Sequence, residues 1–251
     1  LEWFPDIIHV NNWQTALIPA FAKEIYPKEF KKTKFLLTIH NIDEQCETDN
    51  FDFKMTNISE KSKENFMHKG KINFLKAGIH YADYVNTVSP SYAEQILKDA
   101  ELTNGLNEVL KKKKNFKGIL NGIDDYGWNP EKDKLIQTKL DSDFEAYKYD
   151  NKVSLLNKIG LEFHPKTAVL GMITRLDEQK GIPLLLEAAD KILKENVQLV
   201  VLGKGDSKYR NKFQRLQKKY PEKLKFKFGI DNQLAHMIQA GADIFLIPSL
   251  S

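Results

Sequence analysis

Two cations five residues apart, Arg175 and Lys180, stand out in the stretch Thr174-Arg175-Leu176 to Gln179-Lys180-Gly181. An apolar run, Val169–Ile173, precedes them and a helical pattern, Pro183–Lys194, follows, so they flank a strand-to-helix turn. Two fixed positive charges at such a turn suit a diphosphate, and they would stabilise the charge that grows on it as it leaves. The same spacing also describes two surface cations beside a turn. Gly203-Lys204-Gly205 ends the next apolar run, where missing side chains let backbone approach a phosphate or ribose. His9 and His40 sit at or just beyond two runs in the first half, places that suit a hydrogen-bonded core histidine or a polar contact to a ligand. Asn121 and Trp13 read either as site residues or as a turn residue and a helix-packing residue. The six histidines are scattered and Cys46 is the single cysteine, so spacing offers no metal site and no disulfide framework. No Walker-type loop and no dinucleotide fingerprint occurs, which argues against ATPase and dehydrogenase chemistry.

The elements that must carry these residues are legible as eight short apolar runs: Asp6–Val10, Lys34–Ile39, Tyr84–Val88, Lys117–Leu120, Val169–Ile173, Gln198–Leu202, Leu224–Phe228 and Asp243–Ile247. Continuous rather than alternating runs suit strands buried on both faces of a parallel sheet. Helical patterns lie between them at Gln14–Ile25, Lys71–Ala82, Pro90–Lys98, Pro183–Lys194, Arg210–Lys219 and Asn232–Ala240. Ser89 and Pro90 supply an N-cap and a first-turn proline. Strand–helix alternation means α/β. In open parallel sheets ligands bind beyond the carboxyl ends of the strands. Polar groups and glycines follow nearly every run here, among them Asn11-Asn12-Trp13, His40-Asn41, Asn121-Gly122, Gly203 and Gly229-Ile230-Asp231. The rhythm breaks once, near residues 121–131, and continues as a charged, linker-like stretch to about Asp150. The expected domains are therefore residues 1–125 and 126–251. No internal repeat is evident.

Composition narrows the class. The chain has 251 residues, 41% hydrophobic and 29% charged, as a soluble globular protein does. No apolar run approaches the roughly 20 residues a bilayer span needs, and Leu1-Glu2-Trp3-Phe4-Pro5 does not read as a signal peptide. Neither a membrane nor a nucleic acid is expected as partner. The net charge is only +4, and no aromatic residues interleave with the one basic run, Lys111-Lys112-Lys113-Lys114, which reads as a solvated helix end or loop. The missing initial Met, and a last strand that stops where a loop should begin, read as a piece of a longer chain, expected to be inactive alone.

Taken in order, the blocks resemble the bacterial glycogen synthase and plant starch synthase family, retaining glucosyltransferases of the GT-B fold. Pro5-Asp6-Ile7-Ile8-His9 to Trp13-Gln14-Thr15-Ala16 is similar to that family's His-x-x-Asp-Trp region, and Thr38-Ile39-His40-Asn41-Ile42 to its Thr-x-His-Asn element. Phe74–Ile79 and Thr87–Ala93 match its next two blocks. Asn121-Gly122-Ile123-Asp124 with Trp128-Asn129-Pro130 resembles its interdomain turn. Thr174-Arg175-Leu176 with Gln179-Lys180-Gly181 resembles its diphosphate clamp, and Leu234–Asp243 with Pro248-Ser249 the stretch leading into its acidic donor motif.

The resemblance implies two Rossmann-like, doubly wound domains facing a cleft, truncated at both ends. It implies transfer of glucose from ADP-glucose to the non-reducing end of an α-1,4-glucan with retention, in a bacterial cytoplasm or a plastid. Arg175 and Lys180 would bind the diphosphate and His40 the donor sugar. Asn121, Trp13 and Asn12 would line the glucose pocket. Gly203 and the Phe228–Asp231 loop, with Gly229 and Asp231, would border the nucleoside. No metal and no cofactor beyond the donor are expected, since the two cations and helix N-termini do the charge work.

Four departures qualify this. The family's Lys-x-Gly-Gly loop and its acidic donor residue fall outside the chain. The Asn41–Phe74 loop looks short and lacks the glycine that commonly follows His-Asn. Asn12 stands where the family has aspartate, and an amide keeps the shape without the charge. A related enzyme using another donor such as UDP-glucose, or a degenerate synthase that binds glucan or a partner synthase without turnover, are the alternatives.

Overall fold

A computed structural model describes residues 3–250; the outermost ends of the two expected domains, Leu1, Glu2 and Ser251, lie outside them. The chain divides between Gly122 and Ile123 into two compact units.

The first unit is built on strands β1 (Ile7–Asn11) and β2 (Lys34–Ile39), a small antiparallel sheet of β3 (Glu47–Thr48), β4 (Met67–His68) and β5 (Lys71–Asn73), then β6 (Tyr84–Thr87) and β7 (Phe116–Gly118). Its main sheet is parallel throughout, in the order β1-β2-β6-β7, with no reversal among the described residues. Around it lie α1 (Asn12–Thr15), α2 (Ile18–Glu24), α3 (Phe74–Tyr81), α4 (Pro90–Lys98) and α5 (Asn107–Lys111). Ser89 caps α4 by accepting from Tyr92 N, with Pro90 at its first turn. Val10, Leu37, Ile39 and Val85 meet Leu75, Ile79, Ile96 and Leu110 in the core. Each such side chain contributes about 1.5–3 kcal/mol by leaving water.

The second unit carries α6 (Phe144–Ile159), β8 (Ala168–Leu176), α7 (Ile182–Ile192), β9 (Val197–Gly205), α8 (Ser207–Lys219), β10 (Leu224–Phe228), α9 (Asn232–Gly241) and β11 (Ile244–Phe245). Its parallel sheet runs β10-β9-β8-β11. The chain steps outward from β8 to β10 and then returns to the other side of β8. That reversal opens a crevice at the carboxyl ends of β8 and β11, where α/β sheets bind ligands. Alternate residues of the central strands serve opposite faces. Val169, Val200 and Leu202 pack with α6 and α9, whereas Leu170, Met172, Leu199 and Val201 pack with α7 and α8. Burial on both faces is why these strands read as unbroken apolar runs.

Four local expectations are corrected. The stretch to Asp150 is not a linker: α6 starts at Phe144, capped by Asp143, and runs for 16 residues. Its buried side includes Asn151 and Lys152, so the apolar periodicity that would betray it is interrupted. Gln14–Ile25 is two helices, α1 and α2, with a proline in the first turn of α2. Lys71–Asn73 is strand before α3 begins, because it pairs with β3 and β4. Lys113 is not a solvated end: its ammonium donates to His80 O and Ala82 O, both at 2.8 Å, covering the carbonyl end of α3.

One device recurs in both units, although no repeat was visible in the sequence. An Ala-Asp pair follows α3 and another follows α9. Asp83 accepts from Phe35 N at 2.8 Å and from Lys23 Nζ at 3.0 Å, while its own N–H donates to Phe35 O. Asp243 accepts from Val169 N at 2.6 Å and from Lys152 Nζ at 2.7 Å, while its N–H donates to Val169 O. Lys148 covers the end of α9 through Ala240 O and Ala242 O, as Lys113 does for α3. Each device fixes where the strand after the helix enters beside its neighbour.

Candidate functional site

In the second unit, β8 carries Arg175 near its carboxyl end and the following turn carries Lys180, which does not line the cavity beside Arg175. Asp177 organises that turn: one carboxylate oxygen accepts from Lys180 N at 2.9 Å and the other lies 3.4 Å from Arg175 Nε. The Arg175 side chain is 69% exposed, so this ion pair is worth at most about 1 kcal/mol and yields readily to a stronger anion. Arg175 also donates to Gln179 Oε1 at 3.3 Å. Glu178 ties the turn to α8, taking hydrogen bonds from Lys208 at 3.0 Å and Tyr209 at 3.2 Å. The Lys208 contact raises the ammonium's pKa and lowers that of the carboxyl.

Gly181 closes the turn at φ +69°, a conformation that suits glycine. A Cβ there would lie 2.0 Å from Pro248 O, so the loop after β11 rests directly on the turn after β8. Leu250 N donates to Gln179 O at 2.9 Å across the same junction.

Beside Arg175 lies a cavity of about 440 Å³, walled by Ile173, Thr174, Leu202, Gly203, Gly229 and Asp231 among others. Gly203 is needed because a Cβ would meet Thr174 O at 2.4 Å, and Gly229 N donates to Gly203 O at 2.9 Å. Asp231 caps α9 by accepting from Leu234 N at 2.9 Å. The cavity thus brings together Arg175, Gly203, Gly229 and Asp231. Phe228 is not on its wall: the ring sits beneath the Arg210 guanidinium, 5.3 Å away, because the strand's alternation turns it elsewhere.

In the first unit the carboxyl ends of β1 and β2 bring Asn11, Asn12 and His40 together. His40 N donates to Asn12 Oδ1 at 2.7 Å, and His40 Nε2 lies 2.9 Å from Asn11 Oδ1. Trp13 is half-buried against the core. His9 is tied into the sheet, with Nε2 2.6 Å from Thr38 Oγ1, whose hydroxyl donates to Asn86 Oδ1. Asn121 is exposed in the segment after β7 and shares no hydrogen bond with the other candidates among the described residues.

Sequence reading missed several wall residues. Lys204 pairs in register with Arg175 and adds a cation to the cavity, and Asn232 and Ala235 join it from α9. It also missed Asp133, Trp128 and His236 acting as a unit. His236 Nδ1 is 2.6 Å from Asp133 Oδ2 with both side chains buried, and Trp128 stacks on the imidazole at 3.7 Å and 9°. Asp133 is 103 residues from His236, which no local pattern reveals. Among the described residues no cluster of three His, Cys, Asp or Glu side chains converges on a point, and no helix is long and apolar enough to cross a membrane.

Comparison with known proteins fits this arrangement. Residues 1–112 match the starch synthase catalytic domain family, and residues 157–251 match glycosyl transferases group 1. The chain is 42% identical over 254 residues to a glycogen synthase of Thermotoga maritima, covering 99% of this chain and 52% of that protein. With a glycogen synthase of Lactococcus lactis it shares 41% over 258 residues, covering 99% and 53%. It spans about half the length of the curated relatives it matches. Among solved structures, the catalytic domain of starch synthase IV from Arabidopsis thaliana bound to ADP and acarbose superposes with a TM-score of 0.84 at 30% identity, over 98% of this chain and 52% of that one. Anabaena HepE in complex with UDP-glucose, at 14% identity and a TM-score of 0.57, shares the fold. The chain belongs to the glycogen synthase and starch synthase family of GT-B glycosyltransferases.

Proposed function

We propose that the protein to which this chain belongs transfers glucose from ADP-glucose to the non-reducing end of an α-1,4-glucan, retaining the anomeric configuration. The observation that carries the reading is Arg175, placed where the strand order of the second unit reverses, with Lys180 in the same turn and the cavity beside it. The Arabidopsis starch synthase structure, bound to ADP and acarbose, supports a nucleotide on one side of the reaction and a glucan-like acceptor on the other.

In this reading the second unit is the nucleotide-sugar domain. The nucleoside lies along Gly203, Gly229 and Asp231, and the diphosphate sits against Arg175 and Lys180. As the glycosidic bond to the donor breaks, negative charge accumulates on the diphosphate, and the two cations stabilise it once Arg175 exchanges its exposed Asp177 partner for the phosphate. No metal is required in this scheme. The first unit is the acceptor-side domain, in which His40 contacts the donor sugar and Asn12, Trp13 and Asn121 line the glucose pocket. Phe228 borders the nucleoside loop from outside. The setting is a bacterial cytoplasm or a plastid, according to host.

The test uses the full-length protein. Arg175→Ala and Lys180→Ala are each expected to lower kcat about 10²–10³-fold, the usual effect of deleting one transition-state charge contact. Transfer from ADP-glucose at the native rate by both variants would refute the assignment.

A further inference from the structure

We propose that Asn11 and Asn12 form a clamp that sets His40 from both ends, and that an amide at position 12 suffices because its task is to accept one hydrogen bond. The inference rests on the reading of His40 as a contact to the donor sugar, and it concerns what holds that histidine in place.

The geometry is specific to the end of the sheet. β1 and β2 pair in register from Ile7 with Lys34 to Asn11 with Thr38, and there the ladder stops. His40 lies beyond it, exposed, at the point where a backbone N–H needs a new partner. Asn12 supplies it. Its backbone turns into the left-handed region, φ 49°, and its Oδ1 accepts from His40 N at 2.7 Å. Asparagine is among the few non-glycine residues that visit this region routinely. Asn11 holds the other end, with Oδ1 2.9 Å from His40 Nε2. With the amide oxygen facing the ring, the imidazole donates from Nε2. Asn11 is braced in turn, since its N–H donates to Thr15 Oγ1 at 2.7 Å and Thr15 Oγ1 donates back to Asn11 O at 2.8 Å.

One oxygen of Asn12 thus meets one N–H, and nothing in this contact needs a charge. Asparagine and aspartate are interchangeable as acceptors for that bond. Asn12 is a positioning residue here, acting through His40, and the absence of a carboxylate does not mark the protein as degenerate.

The experiment compares the native full-length protein with Asn12→Gly, Asn12→Asp and Asn11→Ala. Glycine keeps the left-handed backbone and removes only the acceptor. Asn12→Gly is expected to lower kcat about tenfold, the effect of one lost positioning hydrogen bond. Asn12→Asp, which keeps an acceptor oxygen, is expected to retain more kcat than Asn12→Gly without exceeding the native value. In parallel, ¹⁵N-histidine NMR of each variant, assigned with His40→Asn, should show the His40 ring signals displaced by Asn12→Gly and Asn11→Ala and retained in Asn12→Asp.

A rise in kcat of about tenfold or more in Asn12→Asp would mean that charge is what position 12 lacks, and would overturn the proposal. So would native kcat in Asn12→Gly. If the native protein transfers no glucose, the functional reading fails by itself. The clamp is then judged on the His40 signals alone, and their indifference to Asn12→Gly and Asn11→Ala overturns it.

Discussion

Replacing Gly181 by alanine should damage nucleotide binding by a route that can be dissected from the structure. Two penalties act at this position. The backbone sits at φ +69°, which costs an alanine about 1–2 kcal/mol. The added Cβ would also stand 2.0 Å from Pro248 O and 2.7 Å from Pro248 C, both backbone atoms. Contact at about 3.5 Å requires one side to withdraw by about 1.5 Å, so the loop after β11 must leave the turn that carries Lys180. Such overpacking costs a further ~1–3 kcal/mol. Gly160 provides the control: its φ is +71°, yet a Cβ there meets nothing within 4 Å, so Gly160→Ala pays the backbone penalty alone. The difference between the variants, ~1–3 kcal/mol, converts to a 5–150-fold loss of ADP affinity if it is expressed at the site. Titration calorimetry with ADP and thermal unfolding of both full-length variants measure the two effects. Equal ADP affinities in Gly181→Ala and Gly160→Ala would refute the claim that the junction of these loops shapes the nucleotide site.

Two further predictions concern stability. Burial alone would raise the Asp83 carboxyl, but the Phe35 N–H and Lys23 outweigh it and hold it below the usual aspartate value. A depressed folded pKa contributes stability that is complete above the unfolded value of about 3.9 and disappears as pH falls through the folded one. Asp83→Asn should therefore lower Tm at pH 7, with a deficit that narrows toward pH 3; a deficit independent of pH would contradict the electrostatic origin. His236→Ala should destabilise the protein by about 3 kcal/mol in denaturant titration, because it removes the stack on Trp128 and leaves Asp133 buried without its partner. A change below about 0.5 kcal/mol, the range of ordinary surface substitutions, would show that the cluster is not a structural latch.

Much of this protein is written locally. Lys34–Ile39 and Leu224–Phe228 are strands at the boundaries read from sequence. From Phe35 onward the first is covered on both faces and reads as a nearly unbroken apolar run, whereas the second lies at the sheet edge and alternates Lys225 and Lys227 with its apolar residues. Arg175 and Lys180 were legible as flanking one turn because the stretch between strand and helix is short. The α6 helix escaped notice because Asn151 and Lys152 occupy buried positions, each satisfied by hydrogen bonds that come from elsewhere: Asn151 reaches Thr138 O, and Lys152 reaches Thr167 O and Asp243. Where a buried polar residue takes its partner from distant chain, as Lys152 does, local pattern contains no trace of it. For the same reason, only the tertiary structure shows that Asp83 and Asp243 do one job in two units, that Asp133 meets His236, and that the oxygen of Asn12 is engaged by His40. Apolar burial depends on composition averaged along an element, which sequence records directly. Hydrogen bonds depend on the placement of single atoms across the fold, and those placements exist only once the sheets have assembled.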